Sequence, residues 1–387
     1  MRPLTLALVR QRYTPDGGAE RFVERAMDAL QVHGADITII TRVWRPQEGI
    51  TPEICNPFYI GSLWRDWGFA RAVRRLLEKK HFDLVQSHER IPGCDIYRAG
   101  DGVHREWLRQ RSRALGLWGR IRLRLNPYHY YVLWAEKRLF NSKRLRAVIC
   151  NSHMVKEEIK QYFPLSEDML HVIYNGVDTQ AFHPNVRHHR QTIRSQYSIP
   201  DEATLFLFVG SGFERKGVNI LLEVLQQLPT SAHLLIVGRD KKTLSFTWRA
   251  QALNIHERVH FAGPQKDVKP YYGAADAFVL PTLYDPFPNA GLEAMACGLP
   301  VITSQKCGLA ELINNGINGF VCDALNKHQI HAAMVSMLDI PTRRAMGENA
   351  GNTVKAMTYE KVTGELIRLY ETLQGVSGNS MERSWRK

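Results

Sequence analysis

Residues 284–301 read Tyr284-Asp285-Pro286-Phe287-Pro288-Asn289-Ala290-Gly291-Leu292-Glu293-Ala294-Met295-Ala296-Cys297-Gly298-Leu299-Pro300-Val301. They follow the apolar run Ala277-Phe278-Val279-Leu280-Pro281 and end in a second, Val301-Ile302. This pattern predicts strand, loop, helix, strand. The loop holds one carboxylate, Asp285, and the first turn of a helix starting near Asn289 holds another, Glu293, eight positions later. Such a helix points its unpaired backbone N–H groups back at the loop, which makes an anion site. A carboxylate over a sugar, another near a ribose and a helix N-terminus at a phosphate would form a sugar-nucleotide site. A surface loop, a charged helix start and a tight Gly-Pro turn fit the same residues, so the surrounding chain has to decide.

Around this stretch the second half alternates regularly. Strands are expected over Thr204–Val209, 233–237, 259–261, Ala277–Leu280 and 301–303, with helices over 218–228 and 244–253. Short apolar runs without polar alternation are covered on both faces, which means a parallel sheet. Directly after the first of these strands comes Gly210-Ser211-Gly212-Phe213-Glu214-Arg215-Lys216-Gly217. Glycines allow close backbone approach, and Arg215 and Lys216 at a helix start add positive charge suited to a diphosphate. The GxxxxGK[ST] spacing of a P-loop is absent. Solvated surface cations are the plainer alternative, and the position at a strand end weighs against it.

The first half opens on the same alternation: a strand over 4–9, a loop with Gly17-Gly18, a helix over 19–33 and a strand over Asp36–Thr41. Gly17 and Gly18 sit where α/β folds bind ligands, although a Gly-Gly turn is also common punctuation. Further on, Tyr97-Arg98-Ala99-Gly100-Asp101-Gly102-Val103-His104 is a glycine-flanked loop after an expected strand over 82–88. Asp101 reads either as a turn residue or, with His104, as a pair reaching into a cleft. Strands over 147–152 and 172–174 and a helix over 154–163 complete this half, and the turn Asn175-Gly176 marks the boundary. The expected domains are 1–175 and 176–356, with a helix over about 357–374 packing back on the first domain and a disordered polar tail over 375–387.

Composition sets the remaining bounds. A chain of 387 residues with 44% hydrophobic and 23% charged residues is ordinary globular material, large enough for two domains. No apolar run approaches the ~20 residues of a membrane span. The first residues are too short in apolar content for a signal peptide and read as a buried strand. Six cysteines without paired or zinc spacing suggest reduced, mostly buried thiols in a cytosolic protein. The net charge of +13 is uneven: 29 basic and 19 acidic residues in 1–175 leave +10, and 22 against 19 in the remainder leave +3. Between Arg105 and Arg146 stand twelve basic residues and two acidic ones, Glu106 and Glu136, interleaved with Trp107, Trp118, Tyr128, Tyr130, Tyr131 and Trp134. That combination suits an anionic membrane surface or a nucleic acid, and one or two solvated amphipathic helices would also produce it. Asn126-Pro127 breaks any single long helix there.

Assembled, these residues resemble family 4 of the retaining glycosyltransferases. The resemblance rests on Gly17-Gly18, Gly210…Arg215-Lys216-Gly217, Asp285-Pro286-Phe287…Glu293-Ala294-Met295-Ala296-Cys297-Gly298-Leu299-Pro300-Val301, and Gly308…Glu311. It covers nearly the whole chain. Residues 94–101 and 210–218 look more closely like the lipopolysaccharide inner-core α-glucosyltransferase branch. The resemblance implies the GT-B fold, two Rossmann-like parallel-sheet domains facing across a cleft, the first binding acceptor and membrane, the second a UDP-sugar. It also implies donor contacts from Gly17, Gly18, Arg215, Lys216, Asp285 and Glu293, with Glu293 on the ribose and Arg215 and Lys216 on the diphosphate. Asp285 and Asp101 take catalytic positions near the transferred sugar, and His104 is a possible acceptor or sugar contact. Asp285 stands where the family usually has Glu. No metal and no cofactor are implied. The implied reaction moves a hexose or N-acetylhexosamine from UDP to a lipid-linked saccharide, most readily the lipopolysaccharide core, by a cytoplasmic enzyme peripheral to the inner membrane.

Two other readings stay open: a GT-B epimerase or phosphorylase, since fold does not fix function, and a nucleic-acid binder using 105–146. A dinucleotide-dependent dehydrogenase is disfavoured by the missing GxGxxG.

Overall fold

The apolar runs assemble into two sheets in which every pair of neighbouring strands is parallel. The structure is a computed structural model, and it describes residues 4–12, 35–44 and 51–375. Gly17, Gly18, the helix expected over 19–33 and nearly all of the polar tail, 376–387, lie outside the described residues. The chain divides into two units: Met1–Asn175 with Tyr359–Lys387, and Gly176–Thr358.

The first unit contains β1 (Thr5–Val9), β2 (Asp36–Thr41), β3 (Thr51–Ile54), β4 (Leu84–Ser87), β5 (Ile96–Arg98), β6 (Ala147–Cys150) and β7 (Leu170–Val172). They lie in the order β3-β2-β1-β4-β5-β6-β7. The chain therefore builds outward from β1 on one side and then returns to its other side at β4, which makes a switch point between them. One face is covered by the helix Tyr359–Gln374, whose Val362, Leu366, Ile367, Leu369 and Tyr370 pack with Leu6, Leu8, Ile37 and Ile39. Burial of each such side chain contributes about 1.5–3 kcal/mol. The phenol of Tyr370 donates to Gln86 Oε1 at 2.7 Å. The opposite face carries Phe69 and Val73 of the helix Gly61–Lys79 and Leu139 and Phe140 of the helix Pro127–Phe140, with Ala7 and Val9.

Residues 105–146 fold as three helices, His104–Arg113, Leu117–Leu125 and Pro127–Phe140. The break falls at Asn126-Pro127, where the Asn126 side chain accepts the Tyr128 N–H at 3.0 Å and Pro127 occupies the first helical position. The middle helix, Leu117–Leu125, buries none of its residues.

The second unit contains β8 (Thr204–Val209), β9 (Ala232–Val237), β10 (Val259–Gly263), β11 (Ala277–Leu280), β12 (Val301–Ser304) and β13 (Gly319–Cys322), ordered β10-β9-β8-β11-β12-β13. Its switch point lies between β8 and β11. Both flanking strands are fully buried, in keeping with their unbroken apolar sequence. Asp276, at the start of β11, gathers Arg190 at 3.0 Å, Arg194 at 2.6 Å and Arg343 at 3.5 Å, pinning two flanking helices to the sheet. All six cysteines are free thiols, five of them buried and Cys55 half-buried.

Candidate active site

The carboxyl ends of β8 and β11, on the two sides of the switch point, carry the loops singled out by sequence. After β8 the chain passes Gly210 and Gly212 and enters the helix Val218–Gln226 through Gly217, which has φ +86°. A Cβ at Gly217 would meet the Pro281 carbonyl oxygen at 2.3 Å, so left-handed backbone and close approach to the end of β11 both require glycine there. Leu283 N–H donates to the Arg215 carbonyl at 2.9 Å, and the Arg215 guanidinium donates back to the Tyr284 carbonyl at 2.8 Å. The two loops are thus laced together by backbone and side chain.

This lacing places the charges. Lys216 Nζ lies 3.1 Å from Asp285 Oδ2, and Arg215 Nη1 lies 3.7 Å from the same oxygen. Asp285 and Lys216 are both more than nine-tenths buried, while Arg215 keeps part of its guanidinium exposed. Asp285 is fixed through its own backbone: its N–H donates to Lys306 O at 3.0 Å and its carbonyl accepts from Gly308 N–H at 2.9 Å. Gly308, which sequence grouped with Glu311, therefore anchors the carboxylate's loop, while Glu311 lies in a short helical turn after it. The Cys307 thiol beside it is pushed up to about 12, chiefly by burial and then by the Asp285 charge.

The helix observed at Asn289–Ala296 starts where sequence placed it. Glu293 is its fifth residue and so belongs to the second turn, one step deeper than the expected first turn, because Pro288 is the cap and Asn289 the first helical residue. Gly291 lies against the buried Leu309, whose side chain would have to shift to admit a Cβ there, since that Cβ would sit 2.1 Å from Leu309 Cδ2. Glu293 is buried, and the phenol of Tyr272 donates to its Oε2 at 2.9 Å. Tyr272 comes from the short helix Lys269–Ala274, and nothing in its local sequence distinguishes it from a core tyrosine.

In the first unit Asp101 follows β5 on the turn Gly100-Asp101-Gly102 and is 77% exposed. Its Oδ2 lies 3.6 Å from Arg90 Nη1. Arg90 donates from Nε to Glu136 Oε1 at 3.0 Å and from Nη2 to the Gly102 carbonyl at 3.0 Å. Glu136 Oε1 also accepts the backbone N–H of His104 at 3.1 Å. A buried carboxylate and an arginine thus clamp both sides of the Asp101 turn. His104 is buried and points inward, its Nε2 3.1 Å from Nδ1 of His129. Burial, followed by the Arg90 and His129 charges, lowers its pKa to about 3, so it is a neutral imidazole.

Asp101 lines a cavity of about 200 Å³ together with Gln11, Asp66, Glu89, Tyr128 and Tyr131. Burial raises the Glu89 pKa, opposed by the Gln11 N–H, which Glu89 accepts at 2.9 Å. Glu89, Arg90 and Glu136 were not singled out by sequence. Glu136 appeared there only as one of two acids in a basic run, and that isolation was the available signal.

The chain matches the family description "Glycosyl transferases group 1" over residues 189–353 and "Glycosyltransferase Family 4" over residues 16–181. The chain belongs to the group 1 and family 4 glycosyltransferases. Among its relatives, the lipopolysaccharide glucosyltransferase WaaG of Escherichia coli (strain K12) is 25% identical over 359 residues, 90% of this chain and 93% of that protein. The lipopolysaccharide core biosynthesis glycosyltransferase LpsE of Rhizobium meliloti (strain 1021) is 25% identical over 363 residues, 92% of this chain and 96% of the relative. The crystal structure of WaaG superposes with a TM-score of 0.82 at 22% identity, covering 97% of this chain and 100% of that one. Anabaena HepE, solved in complex with UDP-glucose, gives a TM-score of 0.72 at 18% identity, covering 95% and 100%. The glycosyltransferase accordingly has the GT-B fold, with two parallel-sheet α/β domains. Within its second domain the structure brings Arg215, Lys216 and Asp285 into direct contact, with Glu293 on the helix that follows. Within its first domain it places Asp101 on a cavity rim and turns His104 inward, while Gly17 and Gly18 fall outside the described residues.

Proposed function

We propose that this glycosyltransferase moves a hexose or N-acetylhexosamine from a UDP-sugar to a lipid-linked saccharide of the lipopolysaccharide core, with retention of anomeric configuration and without a metal. The observation that carries the reading is the Arg215–Lys216–Asp285 cluster at the β8/β11 switch point. Breaking the sugar–phosphate bond leaves negative charge on the diphosphate and oxocarbenium character on the sugar. Two cations fixed beside a strand end stabilise the former without reorganising, the kind of contribution worth about 10²–10³ in rate per donor. They also do the work a divalent ion would do elsewhere. Lys216 and Asp285 are each other's counterion, so the diphosphate draws the ammonium away and leaves the carboxylate to the sugar. Glu293, held by Tyr272, binds the ribose hydroxyls. Asp101 orients the reacting sugar or acceptor, and no protein nucleophile is assigned: the leaving phosphate oxygen takes the acceptor proton on the face it departs from.

The donor assignment is supported by relatives of the same fold, since HepE is described with UDP-glucose, and the acceptor assignment by the names of WaaG and LpsE. The membrane reading is supported by the helix Leu117–Leu125, which exposes Leu117, Trp118 (79%), Ile121 and Leu125 between Arg120, Arg122 and Arg124. Among the described residues no helix is long and apolar enough to cross a membrane. We read the protein as peripheral on the cytoplasmic face of the inner membrane, and co-sedimentation should favour anionic over zwitterionic liposomes.

The test is a panel of UDP-sugars incubated with and without a truncated lipid-linked core saccharide, in buffer containing EDTA. UDP release only in the presence of acceptor, with an α-linked product from an α-donor by NMR, is the expected result. Sugar conversion without acceptor would instead indicate an epimerase, phosphate-dependent cleavage a phosphorylase, and loss of turnover in EDTA would remove metal independence.

A further inference from the structure

Residues 58–67 present a second exposed aromatic surface on the first unit. Phe58 is 74% and Ile60 69% exposed, and Tyr59, Leu63, Trp64 and Trp67 are each exposed by more than a third. On the helix Gly61–Lys79 these positions form one stripe, 60, 63/64 and 67, which continues as Arg71 and Arg74/Arg75. The opposite stripe, Phe69 and Val73, is core. The stripe is thus apolar in its first half and cationic in its second. Between residues 58 and 80 there are six basic residues and two acidic ones, Asp66 and Glu78. Asp66 neutralises Arg65 at 2.6 Å while Tyr128 at 2.9 Å and Gln11 at 3.0 Å also donate to it, which leaves five basic residues against Glu78 in this stretch. Arg71 stacks over Trp67 at 5.7 Å, so a cation lies beside an exposed ring as at a headgroup boundary, whereas Arg42, which stacks under Tyr59 at 4.1 Å, is buried and only supports that ring from the protein side.

We infer that residues 58–67 are a second membrane-contact element, which docks on an anionic bilayer together with the helix Leu117–Leu125. Six large apolar side chains exposed within ten residues differ from the singly scattered apolar exposure of an ordinary soluble surface. Its charge decides the occupant: a second copy would bring the same cations against each other, whereas anionic lipid complements them. The hydrogen bond between Asp66 and Tyr128 ties this helix to Pro127–Phe140, which exposes Tyr130 and Trp134. Asp66 and Tyr128 both line the polar cavity that holds Asp101. Each helix that walls the cavity therefore carries membrane-seeking aromatics, which brings a lipid-anchored saccharide to the cavity without leaving the interface. This inference rests on the membrane reading of 105–146 given above.

The experiment measures partition into vesicles of phosphatidylglycerol and phosphatidylcholine for three proteins: wild type, Phe58→Ser/Ile60→Ser/Trp64→Ser/Trp67→Ser, and Leu117→Ser/Trp118→Ser/Ile121→Ser/Leu125→Ser. Each quartet should lower partition by at least about tenfold. A Trp64→Phe/Trp67→Phe variant, which keeps the apolar surface, should bind like wild type but show less quenching by brominated lipid. Wild-type partition by the 58–67 quartet, with loss in the 117–125 quartet, would overturn this inference and leave the earlier reading standing. Wild-type partition by both would remove both. Unchanged quenching in the Trp→Phe variant, or a vesicle-free dimer that the 58–67 quartet abolishes, would likewise overturn it.

Discussion

Asp285 and Asp101 each follow a strand of a parallel sheet, yet the chain holds them in opposite ways. Asp285 is nearly buried, stitched through its own backbone to residues 306 and 308, and paired with Lys216 at 3.1 Å. Asp101 is 77% exposed between two glycines, and its ion-pair contact, Arg90, stands 3.6 Å away. The second unit fixes its carboxylate by the carboxylate's own loop. The first unit fixes the turn instead, through Glu136, Arg90 and the Gly102 carbonyl. Changes near Asp285 should therefore act on charge and ligand, while changes behind Asp101 should act on the scaffold.

The largest effect expected from this contrast is structural. Glu136→Ala leaves Arg90 without its buried partner and the His104 N–H without its acceptor, which should cost about 3–5 kcal/mol of unfolding free energy. Urea titration measures it, and a loss under 1 kcal/mol would mean that the clamp does not hold the turn. Next comes Lys216→Ala, for which kcat/KM should fall about 10²–10³-fold, with a smaller change in stability. Near wild-type turnover there would detach the cluster from the chemistry.

Much of this was legible in sequence where the chain is buried on both sides. The strands Thr204–Val209 and Ala277–Leu280 are unbroken apolar runs, and the Arg215-Lys216 and Asp285 loops follow them directly, so fold and site were read together. In the first unit β3 was not legible because it is a short edge strand containing Pro52, and β5 because it has only three residues. The helix Gly61–Lys79 is hard to read from sequence because its outward stripe is aromatic, which blurs the apolar periodicity of its buried face. Tyr272 and Arg90 act through partners 21 and 46 positions away, a relation that no local spacing encodes.

A smaller effect should separate the two carboxylates of the second unit. Tyr272→Phe removes the phenol donor from Glu293 while keeping the ring, and a hydrogen bond to a charged group is worth about 1.5–3 kcal/mol. The loss should show as weaker donor binding by calorimetry with little change in kcat. An equal fall in kcat would place Glu293 at the reacting centre instead of the ribose.

The smallest effect is pH-dependent and belongs to the first unit. His104 titrates at about 3 when folded, below its ordinary value of 6.5. Protonation therefore favours the unfolded chain: its contribution is fully present above about pH 6.5 and declines as pH falls toward the folded value. By pH 5 the loss should be about 1–2 kcal/mol. His104→Asn should flatten that part of the stability profile, and an unchanged slope would assign the acid sensitivity to other groups.

The central claim is that Arg215 and Lys216 receive the diphosphate of a UDP-sugar, and thermal unfolding with and without UDP tests it directly. A ligand at a hundred times its dissociation constant stabilises the fold by about 2.7 kcal/mol. The account predicts a clear UDP-dependent rise in Tm for the wild type and its loss in Arg215→Ala/Lys216→Ala. An equal rise in both proteins, or none in the wild type, would contradict it.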